Sequence, residues 1–344
     1  MTSFIQKQLS VSIVLCCYNS AQRLPETLKH VSNQIVCNDI LWEILVIDNG
    51  SNDLTSQTAK NILSLNPHIP FKIIYEPKSG LANARIRGFI EASCDIISFI
   101  DDDNWICPTW IKTLSAIMTS DNMIGACGGL NTAVAETDLP WWFDKFSRSY
   151  AVGPQGKKNG DITNENGVIF GAGMSIRKSA WNHLIANNFK LTLSGRKGST
   201  LLCGEDYEIC LALKLSGWKI WYDSRLQLNH FIEQKRLKWN YLRSMLRSVG
   251  ITDIMLRPYH LVLSKSCSGR HMKWQWFTIK ILVKLARYPI KVMSFSLIKY
   301  EGDPDIIQIE RYFGQLKVIL QLRNQYRTII KNIDNAGWLS KKHR

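Results

Sequence analysis

Ile97-Ser98-Phe99-Ile100-Asp101-Asp102-Asp103-Asn104-Trp105 is the stretch on which the reading of this chain turns. Ile96–Ile100 has the composition of a buried strand, and it stops abruptly at three consecutive aspartates. At ~4 Å and an effective dielectric of about 20, each like-charged pair costs on the order of 4 kcal/mol. A gathered triplet therefore calls for a divalent cation, a proton or solvent. Carboxylate oxygens suit magnesium or manganese, which commonly bind a substrate phosphate as well. The competing reading is a solvated acidic turn that caps the next helix.

Working outward, the same pattern recurs. Ser12–Cys17 is a short β-branched apolar run followed by Tyr18-Asn19, and Trp42–Ile47 is a second one followed by Asp48-Asn49-Gly50-Ser51. Phe71–Tyr75 reads as a third strand. Helical spacing lies between the runs, over Pro25–Gln34, Ser51–Leu65 and Leu81–Ala92. Apolar strands alternating with helices predict an α/β fold, a mainly parallel sheet with helices on both faces. In such a sheet the ligand crevice lies beyond the carboxyl ends of the strands, so the three polar clusters should converge on one edge.

The 344 residues allow two domains, or one large domain with an appendage. With 45% apolar and 21% charged residues, a substantial core forms and wholesale disorder is excluded. No run approaches the roughly 18 apolar residues of a membrane span. The nine cysteines include no Cys-x-x-Cys pair, which argues against a zinc site or disulfide frame and for a reduced, cytoplasmic setting.

The charge of +15 is unevenly placed. Residues 1–234 carry 21 Lys/Arg against 22 Asp/Glu, whereas residues 235–344 carry 22 against 6. A nearly neutral part is joined to a basic part that meets something anionic. Between them, Gly153–Gly167 and Ser194–Thr200 are polar loops, Val168–Ile176 is strand-like, Glu205–Ser216 is a helix and Trp218–Tyr222 a strand. Beyond Lys235 the pattern is helical. Lys280, Lys284, Arg287 and Lys291 fall on one helix face, with Trp274, Trp276, Phe277 and Phe295 among the apolar remainder. Pro289 bends or divides that segment, and Asp303-Pro304 opens a final helix to about Ile330.

An ordered series of segments resembles the family 2 inverting glycosyltransferases, which have the GT-A (Rossmann-like) fold and use nucleotide sugars. The series is VSIVLCCYN (11–19), WEILVIDNGSND (42–53), GLANARIRG (80–88), ISFIDDDNW (97–105), GAGMSIR (171–177), GEDYEICLALKLSGWKIWYD (204–223) and LNHF (228–231). The variant is similar to bacterial enzymes that build cell-surface polysaccharides. The resemblance implies a catalytic domain over residues 1–235 and leaves residues 236–344 as a C-terminal helical extension.

It also implies roles. Asp101 and Asp103 fall on the family's Asp-x-Asp positions, with Asp103 on the metal and Asp101 on the ribose or a metal-bound water; Asp102 stands between them. The cofactor is then Mn2+ or Mg2+. Asp48 matches the base-binding position and Tyr18 borders the base, although a packed core tyrosine is an equal reading. Arg85 matches an arginine near the nucleotide diphosphate, with Arg87 as a competing candidate. Of the pair Glu205-Asp206, Asp206 matches the general base, and Glu205 either adjoins the substrate or only stabilises a helix N-terminus. His230 matches a third metal ligand after a late strand, or is a structural histidine. Trp141 and Trp142 serve as an acceptor platform, as core, or as membrane contacts.

The cationic stripe predicts an interfacial helix on an anionic membrane surface, placing the enzyme peripherally at the inner face of the membrane beside a glycan or lipid-linked acceptor. Helix packing within the chain or in a homodimer is the alternative. Nucleic acid is not the expected partner, because the aromatics lie away from the lysines. The runner-up functions are a nucleotidyltransferase and a nucleic-acid-binding protein.

Overall fold

A computed structural model describes residues 8–196, 203–267, 273–294 and 300–343. Its strands are β1 (Val11–Cys17), β2 (Trp42–Asp48), β3 (Phe71–Tyr75), β4 (Ile96–Asp101), β5 (Asn104–Ile106), β6 (Ile124–Ala135), β7 (Gly160–Asp161), β8 (Ser175–Arg177) and β9 (Lys219–Ile232). They form one sheet in the order β3-β2-β1-β4-β8-β6-β9-β5, with β7 added on β9. The first four strands are parallel: Ile13 faces Ile44 on one side and Ser98 on the other. β6 and β9 are also parallel, whereas β8, β5 and β7 run against their neighbours.

The helices are α1 (Leu24–Ser32), α2 (Thr55–Leu63), α3 (Leu81–Glu91), α4 (Trp110–Ser120), α5 (Phe143–Phe146), α6 (Lys178–Ala186), α7 (Glu205–Leu215), α8 (Trp239–Leu263), α9 (Trp274–Leu285), α10 (Pro289–Met293), α11 (Pro304–Leu322) and α12 (Tyr326–Asp334). Alternation along each strand divides the core between the two sheet faces. Ile13, Leu15 and Ile44 pack under α1, α2 and α4, while Val14, Leu45 and Phe99 pack under α3, α6 and α7. Both faces are covered, as continuous apolar strands require.

Several elements differ from the sequence reading. Val168–Ile176 is a strand only from Ser175: Gly173 has φ +79°, and a Cβ there would lie 2.9 Å from both Leu228 and Trp110, so the chain turns instead of extending. The strand begun at Trp218–Tyr222 continues to Ile232 and carries the LNHF segment with it. The final helix divides into α11 and α12. α4 and β6 carry no assignment in the sequence reading. Residues 197–200 of the Ser194–Thr200 loop, and Phe295, lie outside the described residues.

The last third is packed on the part of the chain before it. Trp338 meets Phe189 edge-on at 5.6 Å, and Ser340 N–H donates to the Leu215 carbonyl at the end of α7. Between α8 and α11, buried Glu310 accepts from Arg243 at 2.8 Å and from Arg247 at 2.7 Å. The four cations read as one stripe do not share one helix, because Pro289 starts α10. Lys291 is held at 2.6 Å by both Asp303 and Asp305.

Candidate active site

The carboxyl ends of β1, β2 and β4 open into a cavity of about 990 Å³, and α7, α8 and the turn after β9 close its other sides. Asp101, Asp102, Asp103, Asp206 and His230 all line it, together with Tyr18, Asn49, Arg85, Glu205 and Arg236. Residues far apart in the sequence thus share one chamber.

The triplet does not act as a unit. Asp102 turns away from its neighbours and accepts from Arg23 at 2.7 Å and from the Ser20 hydroxyl. Burial, with the charge of Asp103 beside it, raises the Asp102 carboxyl above its ordinary range. Burial also pushes Asp101 up to about 6 against the pull of Arg85. Asp103 is held differently. Asn104 donates to it at 2.9 Å from the start of β5, and the β5–β9 register sets Asn104 opposite His230. Burial opposes ionisation of Asp103, but His230 and Arg236 outweigh it and hold the carboxyl well below the usual range.

His230 Nδ1 donates to the Tyr150 carbonyl at 2.8 Å, and Nε2 faces Asp103 Oδ2 at 3.5 Å. Fixing one ring nitrogen on a carbonyl to free the other is how metal-binding histidines are oriented. Asp103 and His230 could therefore hold a divalent cation, with substrate phosphate and water left to complete it. Asp101 does not close the set: its carboxylate lies 3.8 Å from Arg85. Among the described residues no group of three or more acidic, cysteine or histidine side chains forms a ready metal cage. The cation present at this point is Arg236, 2.8 Å from Asp103 Oδ2 and 3.4 Å from His230 Nε2.

Asp206, at the start of α7, accepts from Gly171 N–H at 2.6 Å and from Tyr207 N–H at 2.9 Å. Its recessed position and the charge of Glu205 push it up to about 6, against the lowering pull of Arg85. Glu205 is buried and bound to Arg85 at 2.9 Å. Arg85 is thus spent on carboxylates and is not free to meet a diphosphate, while Arg87 pairs with Glu91 on the helix surface.

At the β1–β2 end, Tyr18 is 45% exposed on the cavity wall, which excludes the core reading. Asp48 is buried behind that wall, accepting from Ser51 N–H at 3.0 Å and from the Ser56 hydroxyl. Its neighbour Asn49 lines the cavity and ties down the approach to α3, accepting from Gly80 N–H at 2.7 Å. The two tryptophans separate. Trp142 is 1% exposed with its indole N–H on Glu301, Trp141 is 77% exposed, and neither lines the cavity. Sequence reasoning missed Arg236, and it placed Asn49 and Asn104 on the site edge without giving either a role. Arg236 sits inside a basic run, where nothing distinguishes it from its neighbours.

A mainly parallel sheet with a carboxylate-lined crevice at its strand ends places the chain in the GT-A fold. The chain belongs to glycosyl transferase family 2, whose sequence profile matches residues 12–184. It is similar to the putative glycosyltransferase EpsH of Bacillus subtilis, 28% identical over 130 residues that make up 38% of this chain and 32% of that protein. It is also similar to the dolichol-phosphate mannosyltransferase of Pyrococcus furiosus, 35% identical over 121 residues, 34% of this chain and 33% of the other. The chain thus spans about a third of the length of these curated relatives. Among solved structures, a mannosyltransferase from Pyrobaculum calidifontis in complex with GDP-Man and Mn2+ superposes with a TM-score of 0.55 at 12% identity, covering 92% of this chain and 88% of that one.

Proposed function

We propose that the protein is a metal-dependent, inverting glycosyltransferase that moves a sugar from a nucleotide sugar to a hydroxyl of a glycan or lipid-linked acceptor in surface polysaccharide synthesis. The observation that carries this is the single cavity lined by Asp103, His230 and Asp206. Asp103 and His230 would hold Mn2+ or Mg2+, which when bound would neutralise charge on the departing diphosphate. Tyr18 offers a face to the nucleobase, and Asn49 holds the loop before Gly80 beside it.

Asp206 accepts the proton of the acceptor hydroxyl. The hydroxyl oxygen bonds to the anomeric carbon as the carbon–phosphate oxygen bond breaks, and that electron pair leaves on the diphosphate. A carboxyl near 6 suits the task, being ionised at neutral pH yet still basic enough to take a proton. The GDP-Man complex of the Pyrobaculum calidifontis mannosyltransferase supports a nucleotide-sugar donor. A UDP-sugar is the first donor to test, from the resemblance.

The C-terminal region serves as the membrane contact. Ile279, Leu282, Val283 and Ile290 are exposed, and Lys280, Lys284 and Arg287 are exposed beside them. Among the described residues no helix is long and apolar enough to cross a membrane, so this face lies along the surface. The test of the whole reading is a panel of nucleotide sugars scored by metal-dependent nucleotide release in the presence of membranes. Release with one donor that disappears in Asp103→Ala and Asp206→Asn supports it. Release unaffected by both substitutions, or absent with every donor, ends it.

A further inference from the structure

Two arginines of the chamber have no role in the reading above. Arg23, Arg85, Lys235, Arg236 and Arg311 also line it, but each already holds a carboxylate at 2.9 Å or less. Among the described residues, Arg148 and Arg196 line it without a carboxylate partner. The charge of Arg196 bears on Asp103, at the end where the diphosphate departs. Arg148 stands at the other end, beside the base.

Short links fix that position. Arg148 belongs to the turn Ser147–Tyr150, whose last carbonyl orients His230. Its Nη1 donates to the Pro154 carbonyl at 2.6 Å, and its guanidinium lies over the Phe170 ring, 5.3 Å from the centre. Phe170 precedes Gly171, whose N–H is on Asp206, and the charge of Arg148 reaches Tyr207 on the other flank of Asp206. The guanidinium is thus held near the base without bonding to it, since the Asp206 carboxylate accepts from the Gly171 and Tyr207 N–H groups.

An arginine carries five N–H donors in a planar fork that meets an oxyanion at two points. One nitrogen of this fork is occupied at Pro154 and the side chain is exposed, so donors remain for a ligand in the chamber. A neutral sugar would leave this charge with water as its only partner. A sugar bearing a carboxylate or phosphate would bring a second negative charge near Asp206, which like-charge repulsion opposes unless a cation stands by. Arg148 is that cation, and its prior fixing on Pro154 and Phe170 lowers the entropy cost of a clamp. The polar loop Gly153–Gly167 adds a neighbour. Asn166, also on the lining, donates from Nδ2 to the Gln155 carbonyl at 2.7 Å, which leaves its side-chain oxygen to accept from a sugar hydroxyl.

We propose that the acceptor is an anionic sugar, whose carboxylate or phosphate is clamped by Arg148 while a neighbouring hydroxyl faces Asp206. This rests on the glycosyl-transfer reading and names the chemistry of the acceptor within it. Arg148 is then a specificity-determining residue that takes no part in the proton transfer.

Binding to the chain of residues 1–344 tests this without knowledge of the donor. Ligand-observed NMR titrations in metal-free buffer compare the methyl glycosides of glucose, galactose and mannose with the corresponding uronic acids and with the 6-phosphates. A hydrogen bond to a charged group corresponds to about tenfold or more in affinity. The expected result is at least one sugar whose acid or 6-phosphate binds about tenfold or more tighter than its neutral form, and the two arms tell which oxyanion the site takes. In Arg148→Gln that advantage should fall toward one while the affinity of the neutral sugar stays. Arg148→Lys, which keeps the charge without the fork, should retain part of the advantage, and Arg287→Gln, outside the chamber, should retain all of it. Equal binding of charged and neutral forms, no binding of any, or an advantage that survives Arg148→Gln overturns the proposal. Metal-dependent nucleotide release, measured separately, tells failure of this inference from failure of the transferase reading.

Discussion

Arg85 and Glu205, 120 residues apart, meet at 2.9 Å inside the protein, and each is at most 3% exposed. The pair joins α3, behind the nucleotide end of the cavity, to α7, which carries Asp206. Asp101 lies 3.8 Å from the same guanidinium. Removing one partner of a buried pair leaves a charge uncompensated, at a cost of about 3–5 kcal/mol. Arg85→Met should lose stability of that order in urea unfolding, and Arg85→Met with Glu205→Gln should regain part of it. A double variant no more stable than the single one would mean that the pair is not the source.

The same guanidinium dictates a glycine. A Cβ on Gly171 would lie 2.6 Å from Arg85 Nη2 and 3.1 Å from Asp206 Oδ2. Gly171→Ala should therefore displace both groups, costing about 1–3 kcal/mol of stability. It should also lower transfer more than an alanine placed at Gly337, where an added Cβ meets only ordinary contacts from 3.5 Å outward. Thermal unfolding and nucleotide release on the two variants check this.

Asp206 sets the acid limb. Its carboxyl is raised to about 6, and the ionised form is the base, so transfer should rise with pH through about 6 and level off above it. Asp206→Asn should be slower by about 10²–10⁴ and lack this limb. Glu205 is the main charge that raises Asp206, so Glu205→Gln should move the limb to lower pH. A limb that stays in place in Glu205→Gln would remove Asp206 from the base role.

What the sequence made legible was local. Apolar runs ending in polar clusters gave β1, β2 and β4 and the edge on which the site lies, because strand period and burial are encoded in adjacent residues. Asp103 and Asp206 stood out as acids placed where a strand ends and a helix begins. Arg236 did not, since its role arises only when the β5–β9 pairing brings Asp103 beside the short turn at Gln234–Leu237. β6 escaped notice because its glycines and alanines read as weakly strand-forming, and burial between β8 and β9 overrides that weakness. Trp141 and Trp142 show the limit most plainly. They are identical neighbours, and tertiary packing of Trp142 against Phe146 and Trp239, with its indole N–H on Glu301, decides which is buried.

Arg236 makes a prediction about metal binding in the absence of nucleotide. Its guanidinium sits on Asp103 Oδ2, where it opposes an incoming cation. A hydrogen bond to a charged group is worth about 1.5–3 kcal/mol, so Arg236→Gln should tighten Mn2+ binding to the nucleotide-free protein by about tenfold or more. Asp103→Asn and His230→Ala should weaken it. Electron paramagnetic resonance of free Mn2+ measures all three. Unchanged affinity in Arg236→Gln would mean that the arginine and the metal do not compete.

The exposed face of α9 gives the prediction for the membrane. Leu282 and Val283 are exposed, with Lys280 and Lys284 beside them, so apolar and electrostatic contributions should both be measurable. Each cation near an anionic leaflet is worth about 1 kcal/mol, or roughly fivefold in affinity. Lys280→Gln and Lys284→Gln should each weaken binding to vesicles containing phosphatidylglycerol by about that factor, and have little effect on neutral vesicles. Near 1 M salt the Debye length falls to about 3 Å, and most of the anionic preference should vanish. Leu282→Ser with Val283→Ser should weaken binding to both kinds of vesicle, because the apolar contribution does not depend on headgroup charge. Lys291, already held by Asp303 and Asp305, is the internal control: Lys291→Gln should change vesicle binding less than Lys280→Gln. Co-sedimentation measures each case, and equal losses at Lys280 and Lys291 would move the membrane contact away from α9.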